Sequence, residues 1–87
     1  MITIDRAAIV LNGHVYSLPR PARHPAVGIY MVEQCGCPKP YPSGEAQGFL
    51  TSDGRFVSRE EAARIAIAAG QVDADEIGTR LFTEDLW

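Results

Sequence analysis

The chain of 87 residues has no apolar run long enough to cross a bilayer. Its first residues, MITIDRAAIVLNG, lack the basic start and apolar block of a secretory signal, so a cytoplasmic location is the expectation. It holds two cysteines, Cys35 and Cys37, separated only by Gly36. A bond between positions i and i+2 strains disulfide geometry, so reduced thiols are expected. No internal repeat, low-complexity tract or phosphate-cradling glycine loop is visible. Gly13, Gly54 and Gly70 each have a turn or stop role instead. A strong excess of positive charge is missing too. The formal net charge is -3, which argues against a dedicated DNA binder.

What is present reads as one small α+β domain. Nearly half the residues are apolar and about a fifth are charged, an ordinary soluble composition. The charge is uneven: residues 1–44 carry four basic and two acidic side chains, residues 45–87 four and nine. AAIVLNGHVYSL is a hairpin, with Asn12-Gly13 as the turn pair that best tolerates positive φ. A two-residue loop sets Leu11 opposite His14 and Ile9 opposite Tyr16. Both faces of this ribbon are then apolar, so the sheet is either covered twice or keeps one face for a partner. Pro25 and Gly36 bracket a short helix over 26–34 that is apolar nearly all round. CPKPYPSGEAQG is a loop.

A second hairpin follows, with Asp53-Gly54 at its turn, Thr51 opposite Phe56 and Leu50 opposite Val57. Ser58 and Glu61 form a capping box for a second helix, and Gly70 ends it. Ala62, Ile65, Ala66 and Ala69 make its inward stripe, while Arg59, Glu60 and Arg64 point to water. We expect Arg80 to Thr83 to return as a short strand, with Leu86 and Trp87 folding back on the core. The order is β-β-α-β-β-α-β, an antiparallel sheet from two hairpins plus a C-terminal strand, packed with two helices.

No arrangement of catalytic groups stands out. His24 and Cys35 lie at opposite ends of a helix, about 15 Å apart at 1.5 Å per residue. Ser58 is used in a cap. The spacing of His14, His24, Cys35 and Cys37 fits no zinc knuckle. No cofactor is expected and no enzymatic activity. A small zinc or thiol protein stays as a second alternative. The carboxylates at Asp73, Asp75, Glu76, Glu84 and Asp85 read as solvated surface, or as an acidic face for a basic partner.

The stretch GFLTSDGRFVSREEAARIAIAAGQ followed by LFTEDLW resembles a pattern of small phage and prophage proteins. So do the opening AAIVLNGHVY hairpin, the Arg23-His24 pair before a helix, and the PKP loop. Two features depart from that pattern: Pro25 follows the Arg-His pair where a second histidine is usual, and CGC is unfamiliar there. The resemblance implies no catalytic residues. It implies a mobile-element protein that binds host machinery, of which anti-CRISPR inhibitors of bacterial immunity are one class. Surplus apolar surface in a small domain points the same way. The candidate contact residues are Arg20, Arg23, His24, Ile29, Tyr30, Lys39 and Tyr41, facing a host protein or protein complex. A homodimer through the same surface, and weak nucleic-acid binding through Arg20, Arg23 and Lys39 with tyrosine stacking, are the other partner classes considered.

Overall fold

A computed structural model describes all 87 residues. Two antiparallel hairpins, β1 (Ile4–Leu11) with β2 (His14–Ser17) and β3 (Gln47–Thr51) with β4 (Phe56–Val57), join into one sheet of order β2-β1-β3-β4. Helix α1 (His24–Gln34) follows the first hairpin and α2 (Arg59–Ala68) the second. In the first turn both Asn12 and Gly13 take positive φ, at 52° and 78°. The register is the one that a two-residue loop imposes, Leu11 opposite His14 and Ile9 opposite Tyr16.

The second hairpin differs from the expected register by one residue. Leu50 lies opposite Phe56 and Phe49 opposite Val57. Here Gly54 takes positive φ and Asp53 does not, so the two-residue turn is not made. Instead Ser52, Asp53 and Gly54 form a three-residue loop, with the Thr51 N–H donating to Arg55 O at 2.9 Å. The Thr51 hydroxyl donates to the Asp53 carboxylate and accepts the Arg55 N–H, which fixes the wider loop. A one-residue slip exchanges the faces of a strand. Phe49 and Val57 therefore face the helices, and Leu50 and Phe56 face away.

Both helices cover the same side of the sheet. Cross-strand partners share a face. Ala7, Phe49 and Val57 thus lie on one side, and a register shift between Ile4 and Arg6 keeps Ile4 there as well. Val27 and Met31 of α1 pack on Ala7 and Ile9. Ala62, Ala63 and Ala66 of α2 pack on Ile4, Phe49, Val57 and Leu81. The pairs Val10–Val15 and Leu50–Phe56 remain on the opposite face, over which no helix lies. Of the two possibilities for the doubly apolar ribbon, the structure thus leaves one face open.

Ser58 caps α2, accepting the Glu61 N–H at 3.1 Å, but the return half of the expected capping box is not made: the Glu61 carboxylate faces Arg55 at 3.8 Å. The inward stripe is turned slightly, with Ala63 buried in place of Ala69. Helix α1 begins at His24, two residues before the expected start at 26.

The expected C-terminal strand does not form. Arg80 lies in a bend and Leu81 and Phe82 follow it outside any regular element; the Leu81 N–H donates to Arg59 O on α2, away from the sheet edge. A 3₁₀ turn, Thr83–Asp85, follows. Leu86 packs against the core and the Trp87 indole N–H donates to Ala22 O at 3.1 Å, so the tail does fold back. No helix is long and apolar enough to cross a membrane.

Leu81 is fully buried although it sits outside any regular element. Leu81→Ala is expected to cost about 2–5 kcal/mol, the range for a buried leucine truncated in place. Urea unfolding measures it; a loss under about 0.5 kcal/mol would mean that the tail is not part of the core.

Candidate partner-binding site

Helix α1 starts without a side-chain cap and has no acidic residue in its first turn. Pro25 pre-sets its opening φ, and packing supplies the rest. Val27 and Met31 turn inward, while Ile29 stays 52% exposed on the outer side. The proline loop then folds back over that outer side. Its Tyr41 ring lies directly on Gly28, where an added Cβ would stand 2.4 Å from the ring carbons. Glycine therefore does more here than weaken the helix: it lets an aromatic ring touch the helix backbone. The result is a cleft of about 370 Å³ lined by Ile29, Val32, Glu33, Lys39, Pro40 and Tyr41. Its walls are apolar, with one acid and one base that make no ion pair to each other or to neighbours.

Of the seven candidate residues, the structure brings Ile29, Lys39 and Tyr41 together in this cleft. Tyr30 sits next to Ile29 but does not line the cleft; the neighbouring Cys35 thiol raises its phenol above the ordinary pKa. Arg20 and Arg23 serve the tail instead. Arg20 stacks over the Trp87 ring at 5.2 Å and approaches Asp5 at 3.8 Å, while Arg23 donates to Trp87 O.

His24 is not a surface group. It is 4% exposed and belongs to a buried polar cluster. Its Nε2 lies 2.7 Å from Gly48 O, a pure acceptor, so Nε2 carries the proton. Nδ1 then accepts from Arg59 Nη2 at 3.4 Å. The same Nη2 donates to Gln47 Oε1 at 3.1 Å, and Nη1 donates to Leu81 O at 2.9 Å. Arg59, expected in water, is thus buried, with the Phe82 ring 4.5 Å from its guanidinium carbon. Burial lowers the pKa of His24, and the Arg59 charge lowers it further, against the Gly48 hydrogen bond. Burial also lowers that of Arg59. Neither Arg59 nor Gln47 was marked by sequence reasoning. The available hint was a base in the first turn of α2, where the helix dipole disfavours it.

A second concavity, about 660 Å³, opens between the end of α2 and the tail. Ile67, Val72 and Ile77 line it together with Asp73, Glu76, Glu84 and Asp85. None of these carboxylates forms an ion pair. No group of three or more His, Cys, Asp or Glu side chains is placed to hold a metal, so His14, His24, Cys35 and Cys37 do not converge.

With this geometry in view, comparison with protein families gives a match between residues 3–87 and the model of the phage T4 y16D protein family. The chain belongs to the phage T4 y16D protein family. Comparisons with curated proteins and with solved structures gave no match. The y16D match spans both hairpins, both helices and the tail, so the cleft and the buried cluster lie inside the shared region. The small-phage-protein character expected from the GFLTSDGRF stretch is thereby established.

Two outcomes follow for this y16D-family chain. Gly28→Ala gains about 1 kcal/mol of helix propensity but drives a methyl into the Tyr41 ring, at about 1–3 kcal/mol. A net loss of up to about 2 kcal/mol in urea unfolding, with Tyr41 newly open to nitration, is expected; a net gain would show that the ring does not rest there. His24 binds protons more weakly folded than unfolded, so the unfolded state takes up protons first as pH falls. Its share of stability is full above its ordinary pKa of 6.5 and declines as pH drops below that, down to the lowered folded value. In His24→Gln that part of the slope is absent, read by urea titrations across the acid range.

Proposed function

We propose that this phage-family chain is a non-enzymatic binding protein that acts on a bacterial host protein by surface contact, in the host cytoplasm. The partner class we put forward is a component of a host defence complex, inhibited in the manner of an anti-CRISPR protein. The carrying observation is the α1 cleft, where Ile29 stands 52% exposed between the apolar walls of Val32, Pro40 and Tyr41. Apolar side chains left exposed beside an apolar cleft mark surfaces that meet a partner. The open sheet face with Val10, Val15, Leu50 and Phe56 adds apolar surface on the side away from the helices. A catalytic reading has less support, because the titratable groups of the cleft, Glu33, Lys39 and Tyr41, have no serine, threonine or cysteine among the residues beside them. A nucleic-acid reading loses much of its footing because Arg20 and Arg23 hold Trp87 and His24 is buried.

The test uses the tagged full chain in lysate from a defence-bearing bacterium, with Ile29→Asp beside Arg64→Ala as an exposed control on α2. Wild type and the control are expected to retain one host defence component at a fixed ratio and to restore phage plating. Ile29→Asp should weaken the capture by about thirtyfold or more, the effect of losing an interface anchor of 2 kcal/mol. Equal capture by all three, or capture of nucleic acid alone, would overturn the proposal.

A further inference from the structure

Cys35 and Cys37 flank the end of α1 in a geometry that the binding reading leaves unused. Cys35 is the C-cap residue, its N–H donating to Met31 O at 3.2 Å and Tyr30 O at 3.3 Å. Gly36 takes φ +75°, a conformation that suits glycine, and turns the chain back. The Cys37 N–H then closes onto Met31 O at 3.0 Å. Cα atoms two residues apart lie at roughly 5–7 Å, the shorter when the chain bends between them, which overlaps the range of about 4.4–6.8 Å in which disulfides form.

The two sulfurs differ in access. Cys35 is exposed, while Cys37 is half-buried and packs against the Ala7, Ile9, Val27 and Met31 cluster. Each has a phenol nearby: Tyr30 lies beside Cys35 and Tyr16, from β2, beside Cys37. These thiol contacts raise both phenols above their ordinary pKa of 10.0, and Tyr16 also senses Cys35 and Tyr30. The four side chains therefore form one cluster. With no third donor at hand, the pair fits sulfur exchange better than metal binding.

We infer that Cys35 and Cys37 form a reversible dithiol site whose substrate class is a disulfide. Exposed Cys35 is the attacking thiol. Its thiolate bonds to one sulfur of the substrate disulfide, the substrate S–S bond breaks, and one thiolate leaves and takes a proton. The Cys37 thiolate then attacks Cys35 Sγ, and the second substrate thiol leaves. Two electrons pass from the cysteine pair to the substrate: one internal disulfide is made and two substrate thiols are released. The small ring keeps the bond labile, so reduced thiols are the resting state and the step runs in both directions.

Reduced full-length protein is equilibrated with graded ratios of reduced and oxidised glutathione, trapped with an alkylating agent and weighed intact. Wild type is expected to give a species about 2 Da lighter than the dithiol and closed to alkylation, restored by excess reduced glutathione. Cys37→Ser, which has no resolving thiol, should stop with one glutathione on Cys35. Cys35→Ser should react at least about tenfold more slowly, because Cys37 is shielded. Circular dichroism checks that both variants keep the fold. Glutathione adducts on wild type without the lighter species would overturn the inference. So would a Cys35→Ser variant that reacts as fast as Cys37→Ser.

Discussion

A single guanidinium holds the parts of this molecule in register. Arg59 joins the start of α1 through His24, β3 through Gln47, and the tail through Leu81. His24 passes the link on to the β3 backbone at Gly48. No carboxylate bonds to Arg59 directly, so its close partners are carbonyl and amide oxygens, a ring nitrogen and the face of Phe82, with Glu60 and Glu84 acting on its charge from farther off. Such a cluster is secure only when every member is satisfied, and no buried side-chain nitrogen or oxygen lacks a partner. With so thin a core, a directional network fixes relative positions that apolar packing alone would leave loose.

The one-sided arrangement follows from the same economy of chain. Two helices suffice to cover one face of four short strands, and both are spent there. Apolar surface is left outward on the open face of the sheet, on the Ile29 side of α1 and in the concavity at Ile67, Val72 and Ile77. The proline loop covers that helix only in part, because Tyr41 seats itself on Gly28 and stops short of Ile29 and Val32. The cleft is thus the remainder of an incomplete cover. It is held open by a loop that is fixed by the Tyr41 ring and by hydrogen bonds at its two ends, Cys37 N–H to Met31 O and the Gln47 amide to Pro42 O.

Much of the architecture was readable in the residues. Asn12-Gly13 fixed the first turn because both positions tolerate positive φ, and the Ser58–Glu61 pair marked the start of α2. Asp53-Gly54 misled by one residue, since the Thr51 hydroxyl competes for Asp53 and selects a wider loop. That competition depends on side-chain hydrogen bonds that a dipeptide rule does not weigh. The tail looked like a strand because Leu81 and Phe82 are apolar, yet its backbone partners are on α2. Of the candidate site, Ile29, Lys39 and Tyr41 were reachable from an all-round apolar helix followed by a proline loop. The roles of Arg20 and Arg23 were not, because Trp87 lies more than sixty positions away in the chain. His24 looked exposed beside two arginines, and only the long-range contact with Gly48 draws it inward.

One quiet feature bears on how the sheet ends. Where β2 has stopped, the amide of Gln71 meets the outer backbone of Ile4, accepting its N–H at 2.7 Å and donating to its carbonyl at 3.0 Å. A side chain from beyond α2 thus takes the place that a neighbouring strand would fill. Main-chain groups on a sheet border invite foreign chains to add themselves. Here that invitation is withdrawn along the first part of β1, and any strand joining this molecule must do so along β2 or the two-residue β4.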